Sequence, residues 1–308
     1  MNQQHDYGRF DFVGKVWLFG GISLLFMILS AGYLMVKGIN YGIDFRGGTE
    51  IQVKFAQPLS IDHLREEIAK LDLGDVGVQA FGEGNEYLIR FQGRQGANDK
   101  ETNEILNNSI TKLRALIETG FAANGPEIRR VDTVGPQAGA ELKRNSFLAV
   151  FYCLLVILIY IGLRFDYVYS PGAVVCLFHD ALITLAIFVA TGREVNIPIL
   201  AAILTLIGFS LNDTIVVFDR IRETEDHYRD RGWKFIINKA INDMLGRTLI
   251  TSGTTFVASL CLAIFAEGTV EDIAFSITIG VFFGTYSSIY VAAPFILLVD
   301  KLKKRRPA

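Results

Sequence analysis

Acidic side chains occur where the sequence is otherwise apolar, and Asp213 is the clearest of them. It follows an uncharged run that extends from Val195 to Asn212. A carboxylate inside a membrane helix costs roughly 2.5–3.5 kcal/mol on insertion scales, so such a residue usually marks an ion or proton path. Because a buried carboxylate needs a partner or a proton, Asp213 predicts proton or ion chemistry within a membrane.

The nearest candidate partner of Asp213 is Arg247, which opens a stretch rich in hydroxyl groups over residues 248–255. Two interpretations of Arg247 stay open. A basic residue at the end of a membrane span ordinarily reaches toward the lipid headgroups and anchors the helix. Alternatively, Arg247 forms an ion pair with Asp213. The hydroxyl groups either line a hydrated path through the membrane or serve the packing of neighbouring helices.

Three further polar residues lie in or near apolar segments and are secondary candidates. Asp219 follows Asp213 by six residues, which is about 9 Å further along a helix. It stands beside basic residues, and this favours a salt bridge at a helix end. His179 and Asp180 interrupt another apolar run. Asp180 either relays protons or pairs structurally with an arginine such as Arg164, whereas His179 is interpreted as a packing residue.

The elements that must position these residues are membrane helices. The chain has 308 residues, of which 51% are hydrophobic. Its uncharged runs, each about long enough to cross a hydrocarbon core, are Val16–Val36, Asn145–Leu163, Val195–Asn212, Thr248–Ala266 and Ile273–Val299. A sixth run, Tyr167–Gly192, is broken only by His179 and Asp180. Six spans are predicted. The first is expected to be retained, because its apolar run exceeds the 7–15 residues of a signal peptide.

Basic residues set the predicted orientation, because short cytoplasmic loops are rich in Lys and Arg. They cluster in a tail at 1–15, in the segment 220–247 and in a tail at 300–308, whereas the opposite short loops hold one basic residue, Arg193. Both termini are therefore predicted to be cytoplasmic. Within 220–247, the amphipathic stretch Trp233–Leu245 is expected to lie on the membrane surface. The three cysteines fall inside spans and suggest no disulfide framework.

Between the first span (16–37) and the remaining spans (145–299), residues 38–144 form a predicted periplasmic domain with 13 basic and 16 acidic residues. Its patterns predict, in order, the strand Thr49–Phe55, the helix Ser60–Leu71, the strands Val76–Phe81 and Tyr87–Phe91 joined by the hairpin Gly82–Asn85, the helix Asp99–Thr119 and the strand Glu127–Val134. This is the βαββαβ order of a ferredoxin-like α+β domain. Residues Gly93–Lys100 are expected to be a solvated loop. No nucleophile constellation or metal-spaced His/Cys cluster is present, so neither an enzyme nor a cofactor is predicted.

Four separated motifs resemble those of the SecF family of bacterial protein export. They are Tyr41–Thr49, which includes Gly42, Asp44, Phe45, Gly47 and Gly48; the pair His179-Asp180; Leu211–Glu223; and Gly284–Ser288. The resemblance covers nearly the whole chain. The last motif belongs to a series of small residues, Gly280, Gly284, Ser287 and Ser288, which favours close helix packing over chemistry.

The resemblance implies a polytopic inner-membrane protein that pairs with SecD in a twelve-span unit and associates with the SecYEG channel and YajC. It further implies that the proton gradient helps to draw unfolded preproteins outward, with the proton as coupling ion and no nucleic acid involved. Asp213 matches the family's proton-transport aspartate and Arg247 matches its partner. Alternating protonation of Asp213 would then hold or release Arg247 and move the outer domain. Two alternatives stay open: an RND-type exporter of small solutes or lipids, and a structural scaffold.

Overall fold

The structure is a computed structural model that describes residues 7–74, 76–81, 84–93, 99–165 and 169–304. The chain divides into two compact units. The membrane unit comprises Met1–Asn40 and Val150–Ala308, and the inserted domain comprises Tyr41–Ala149. In chain order the elements are α1 Val16–Lys37, α2 Ile43–Arg46, β1 Gly48–Phe55, α3 Ile61–Ala69, β2 Val76–Ala80, β3 Glu86–Phe91, α4 Asp99–Ala115, β4 Pro126–Val134, α5 Pro136–Arg164, α6 Ser170–Ala190, α7 Ile197–His227, α8 Trp233–Phe265, α9 Thr269–Ser287 and α10 Ala293–Lys304.

The described residues contain six helical segments long and apolar enough to cross a membrane, as the sequence predicted. They are α1, α5, α6, α7, α8 and a last segment in which α9 continues through a π-helical turn at Ser288–Ala292 into α10. Helices α6, α7 and α9 form the interior of the membrane unit, whereas α1 and α5 leave most of their surface uncovered by the chain. The polar residues of interest lie on the interior helices or face them.

Local sequence explains where the interior helices begin. Helix α7 is capped by Asn196, whose side-chain oxygen accepts a hydrogen bond from the backbone N–H of Ile199 at 3.1 Å. Proline occupies the first turn of both α6 and α7. Proline suits this position because its missing N–H would have no partner within the helix.

The stretch Trp233–Leu245 is not a separate surface helix. It forms the first part of α8, which runs without interruption to Phe265. Its apolar residues Ile236, Ile237 and Ala240 are buried in a core cluster together with residues of α6 and α7. The prediction of a helix lying on the membrane surface is therefore wrong, because the apolar face is covered by protein.

The segment before α1 is docked on this part of α8. The side-chain oxygen of Asn238 accepts hydrogen bonds from the backbone N–H groups of Phe12 at 2.8 Å and Val13 at 3.0 Å. Asn242 bonds both backbone groups of Phe10, at 3.0 and 2.8 Å. The ring of Phe12 is buried in the core cluster. Two asparagines of α8 therefore fix the path of the chain into the first span.

The inserted domain has the predicted ferredoxin-like topology. Its four strands form a sheet in the order β2-β3-β1-β4, with every neighbouring pair antiparallel. The core includes Ile51 and Val53 of β1, Leu64 of α3, and Ile89 of β3. Two segments named in the sequence predictions, the first half of the hairpin 82–85 and most of the loop 93–100, lie outside the described residues.

The glycine-rich motif at the start of the domain forms a tight entry into β1. Helix α2 begins after Gly42, whose carbonyl accepts hydrogen bonds from the N–H groups of Phe45 at 3.1 Å and Arg46 at 3.2 Å. The ring of Phe45 is buried. Gly47 and Gly48 have φ values of 73° and 134°, a region that favours glycine. Asp44 lies in the first turn of α2.

Candidate functional site

The most enclosed carboxylate of the membrane unit is Asp180 in α6, which is 0% exposed. Its Oδ2 accepts hydrogen bonds from Ser210 of α7 and from Ser287 of α9, the latter at 2.8 Å. The thiol of Cys176, one turn earlier on α6, lies 3.8 Å from the same oxygen. Because an ionised carboxylate only accepts hydrogen bonds, donors from three helices converge on an environment suited to the anion.

His179 completes this centre. Its Nδ1 lies 2.8 Å from Oδ1 of Asp180, and both side chains are 0% exposed. Its ring stacks on Tyr286 of α9 with centroids 6.3 Å apart. Tyr286 in turn donates to the carbonyl of Phe19 at 2.8 Å and bonds Ser23 of α1 at 2.9 Å. The imidazole is therefore a hydrogen-bonding member of the polar centre as well as a packing residue.

Small residues of α9 allow the neighbouring helices to approach this centre. A Cβ at Gly284 would lie 3.1 Å from Cβ of Ser210 and 3.6 Å from Oδ2 of Asp180. A Cβ at Gly280 would lie 2.1 Å from a methyl carbon of Leu206. The prediction of close packing is confirmed for these glycines. Ser287 also donates a hydrogen bond, a role that its place in the small-residue series did not indicate.

Asp213 lies one turn beyond Ser210 on α7 and is 6% exposed. Its Oδ2 accepts a hydrogen bond of 2.9 Å from Ser252 of α8. Arg247 stands on the same helix as Ser252, is exposed, and interacts electrostatically with Asp213. No ion pair within 4.0 Å joins Asp213 and Arg247 in the part of the chain that the structure describes. The close partner of Asp213 in the structure is therefore Ser252 rather than Arg247.

Asp219 forms a salt bridge, as its position predicted, but not at the end of its own helix, because α7 continues to His227 and the partner comes from another helix. Its two carboxylate oxygens accept from the guanidinium of Arg164 at the end of α5, at 2.8 and 2.9 Å. Arg164 was one alternative for a structural partner of Asp180. That pairing is not formed. Arg164, at the end of α5, binds Asp219, whereas Ser210, Ser287 and His179 contact Asp180.

The arrangement offers two carboxylates on adjacent interior helices, each held by hydroxyl donors. Ser210 contacts Asp180, and the following turn of α7 carries Asp213, so a single helix connects the two groups. The described residues contain no group of three or more His, Cys, Asp or Glu side chains placed to hold a metal ion. A carboxyl group can be ionised or protonated, so proton binding is a chemistry that this arrangement permits.

The chain is similar to known proteins over nearly its whole length. Residues 116–302 match the family model described as protein export membrane protein SecD/SecF, C-terminal, and residues 32–59 match the SecD/SecF GG motif. The chain belongs to the SecF family. It is 41% identical to the protein translocase subunit SecF of Calditerrivibrio nitroreducens, over 96% of this chain and 95% of the relative. It is 42% identical to that of Magnetococcus marinus, over 97% and 95% of the two chains.

The fold also matches a solved structure. The crystal structure of SecDF from Thermus thermophilus, described as a translocon-associated membrane protein, aligns with a TM-score of 0.82 and 32% identity. The alignment covers 95% of this chain and 39% of the SecDF chain, so this chain corresponds to well under half of that protein. The predicted fold class of six membrane helices with an α+β domain between the first and second is thereby confirmed. The chain is a multi-pass membrane protein of the Sec export pathway family.

Proposed function

We propose that this SecF-family chain pairs with SecD and uses the proton gradient to promote late-stage translocation of preproteins across the inner membrane. The proposal includes association with the SecYEG channel and YajC, an unfolded preprotein as client, and the proton as coupling ion without a further cofactor. It places both termini in the cytoplasm and the inserted domain in the periplasm. Support for SecD as partner comes from the SecDF protein, in which the region similar to this chain is 39% of a single longer chain.

One observation carries the coupling part of the proposal, namely the environment of Asp213. This carboxylate is almost fully buried in a membrane helix, and a neutral hydroxyl of Ser252 is its hydrogen-bond partner. The candidate cation, Arg247, interacts with it electrostatically without forming a close ion pair. A buried charge without a close counter-ion is costly, so Asp213 is a group whose charge state can control helix packing.

The proposed cycle alternates the charge of Asp213. When Asp213 is protonated, the group is neutral, its hydrogen bond with Ser252 is retained, and its attraction for Arg247 is lost. When Asp213 is ionised, it attracts Arg247. Because Asp213 lies on α7 and Arg247 lies on α8, the attraction moves these two helices relative to each other. The protonation state of Asp213 thereby sets the relative position of α7 and α8.

The membrane potential limits how far each proton can shift the equilibrium between the two states of the cycle. One charge that crosses the membrane potential supplies about 2.3 kcal/mol per 100 mV. A nearly complete switch between two states needs roughly 5.5 kcal/mol. At 100 mV, two to three protons are therefore required for each full switch, unless other steps of export contribute.

The test replaces Asp213 by Asn and leaves its size and hydrogen-bonding capacity nearly unchanged. The variant is assembled with SecD and SecYEG in inverted membrane vesicles, and proton flux and gradient-dependent preprotein export are measured. We expect both to fall at least tenfold while ATP-driven export without a gradient is unchanged. Asp219→Asn is the matched control, because it also removes a carboxylate from α7. The partner of that carboxylate, Arg164, lies at the end of α5.

The outcomes separate the competing functions. Normal flux and export in a normally assembled Asp213→Asn variant would favour a scaffold in which the buried carboxylate is only a packing group. Intact export together with lost efflux of a small solute or lipid would favour an RND-type exporter. Equal losses in Asp213→Asn and Asp219→Asn would mean that the effect is not specific to the buried site.

A further inference from the structure

The pair His179–Asp180 has no role in the switch described above, yet it is more deeply buried than Asp213. Both side chains are 0% exposed, and they lie 2.8 Å apart through Nδ1 and Oδ1. The other ring nitrogen, Nε2, is buried and has no hydrogen-bond partner among the described residues. A buried polar atom without a partner costs free energy, so its retention beside a carboxylate needs an explanation.

The bonds to Asp180 specify how the imidazole is placed. Ser210 and Ser287 both donate to Oδ2, and these donors suit the carboxylate form of Asp180. When His179 is neutral, the Nδ1–H group donates to Oδ1, which leaves the Nε2 lone pair as the unpartnered atom. The pair then holds one negative charge in the interior of a membrane helix bundle. A single proton on Nε2 would neutralise it.

We propose that the His179–Asp180 pair is a second proton-binding site of the bundle, at which Nε2 of His179 accepts the proton. This inference rests on the proposed function only in that protons enter the bundle. The step forms one N–H bond at Nε2 and breaks one O–H bond of a hydronium ion, which leaves as neutral water. The pair changes from a carboxylate beside a neutral imidazole to a carboxylate beside an imidazolium, and release to water reverses the step.

The groups around the pair favour this assignment. From α6 the titratable neighbour is Cys176, and from α9 it is Tyr286, whose hydroxyl is bonded to α1. From α7 the contact is Ser210, with Asp213 one turn further on. No lysine or arginine of the described residues forms an ion pair with Asp180. The imidazolium is therefore the cation within reach that can compensate the carboxylate.

Nuclear magnetic resonance of the histidine nitrogens tests the proposal directly. The chain contains four histidines, and the full-length protein labelled with ¹⁵N-histidine is reconstituted in lipid vesicles across a series of pH values. We expect the signals of His179 to convert between the neutral and the cationic imidazole within the pH range in which the protein stays folded. His179→Asn identifies the signal, because asparagine can still donate to Asp180 but cannot bind the proton.

Two further variants make the outcome specific. Asp213→Asn should leave the conversion of His179 in place, so the site is tested independently of proton-driven export. In Asp180→Asn the anion is absent, and we expect the cationic form of His179 to disappear over the same pH range. If His179→Asn does not fold, the corresponding variants of His5, His63 and His227 identify the signal by elimination.

Two results would overturn the inference. His179 could stay neutral at every pH at which the wild-type protein is folded, which would make the pair a packing device between α6 and its neighbours. The cationic form could also persist unchanged in Asp180→Asn, which would show that the carboxylate does not hold the proton with the imidazole. Loss of export in Asp213→Asn would not affect either result, since export is not part of this measurement.

Discussion

Gly48, the first residue of β1, has a backbone conformation that favours glycine. Its φ is 134°, and a Cβ at this position would lie 2.8 Å from the carbonyl oxygen of Phe91 on the neighbouring strand. Any side chain would therefore combine backbone strain with a collision against backbone, which cannot move aside as a flexible side chain can. The preceding Gly47 is constrained in the same way, because its Cβ would meet Pro136 at 2.8 Å.

We predict that Gly48→Ala destabilises the inserted domain by about 1–3 kcal/mol. Hydrogen exchange of the amides in β1 and β3, measured on the full-length protein in detergent, should accelerate roughly 5- to 150-fold if exchange follows unfolding of the domain. Gly77→Ala is the control, because Gly77 lies in β2 without a positive φ, and a Cβ added there would have no atom within 4 Å. Equal protection in the two variants would contradict the proposed strain.

The three aspartates show which parts of the site could be predicted from the sequence. The cost of burial singled out Asp213 as a buried carboxylate. Proximity to basic residues predicted a salt bridge for Asp219 but not its partner, Arg164, which lies on another helix. Neither signal indicated that Ser210 and Ser287 would converge on Asp180, since that contact depends on how three helices pack. The one available hint was the spacing of Ser210 and Asp213, which places both side chains on the same face of α7.

At the scale of elements, the docking of the amino-terminal segment on α8 is a prominent polar contact of the membrane unit. Asn238 is 0% exposed, accepts from two backbone N–H groups, and donates to Asp11 at 2.9 Å. It also lies on the helix that carries Ser252 and Arg247. The segment therefore helps to fix the position of the helix that faces Asp213.

Replacing Asn238 by Ala is predicted to loosen this segment. Two backbone N–H groups would lose their acceptor, at a cost of about 1–3 kcal/mol, so amide exchange of residues 10–13 should accelerate roughly 5- to 150-fold. Hydrogen exchange with mass spectrometry on the full-length protein measures the effect. Asn212→Ala, an exposed asparagine of α7, should leave the segment as protected as in the wild type. Unchanged exchange in Asn238→Ala would show that the side chain does not hold the segment.

The same contact should depend on pH through Asp11. Burial raises the pKa of this carboxyl, but hydrogen bonds from the backbone of Gly14 and from Asn238, together with the charge of Lys234, outweigh burial and hold the pKa below its ordinary value of 3.8. A lowered pKa stabilises docking above the unfolded value, and the stabilisation is lost as pH falls through the folded value. Protection of residues 10–13 should therefore be constant above about pH 5 and should decline below 3.8. Asp11→Asn should remove this decline.

The bounds of elements were predicted well where the pattern is local and poorly where packing decides. The strands and helices of the inserted domain match the alternation of apolar residues to within a few positions, because each has one buried face. In α8 the amphipathic pattern was correctly recognised as helical, but periodicity does not distinguish lipid from protein as the partner of the apolar face. The core cluster around Ile236 and Ile237 supplies that partner.

At the scale of the whole molecule, charge is distributed unevenly between the two sides of the helix bundle. The connection between α7 and α8 and the two tails are rich in basic residues. The opposite connections contain Arg193, whose guanidinium contacts Glu271 and Asp272 at the start of α9. Burial disfavours the charged form of Arg193, but these two carboxylates outweigh it and raise its pKa. Arg193 is thus neutralised locally and contributes little to the asymmetry that orients the bundle.

This asymmetry predicts that the inserted domain and the α7–α8 connection lie on opposite sides of the membrane. Single cysteines at Lys54 and Arg229, both exposed, test it in a background in which the three native cysteines are replaced by serine. A membrane-impermeant maleimide applied to spheroplasts should label Lys54→Cys directly and Arg229→Cys only after permeabilisation. Inverted vesicles are the control and should give the reverse order. Labelling of both positions from one side would contradict the orientation. If that side were the cytoplasmic one, the inserted domain would share a compartment with the ATP-driven steps, and there would be no basis for proposing that this domain acts in the late, outward stage of export.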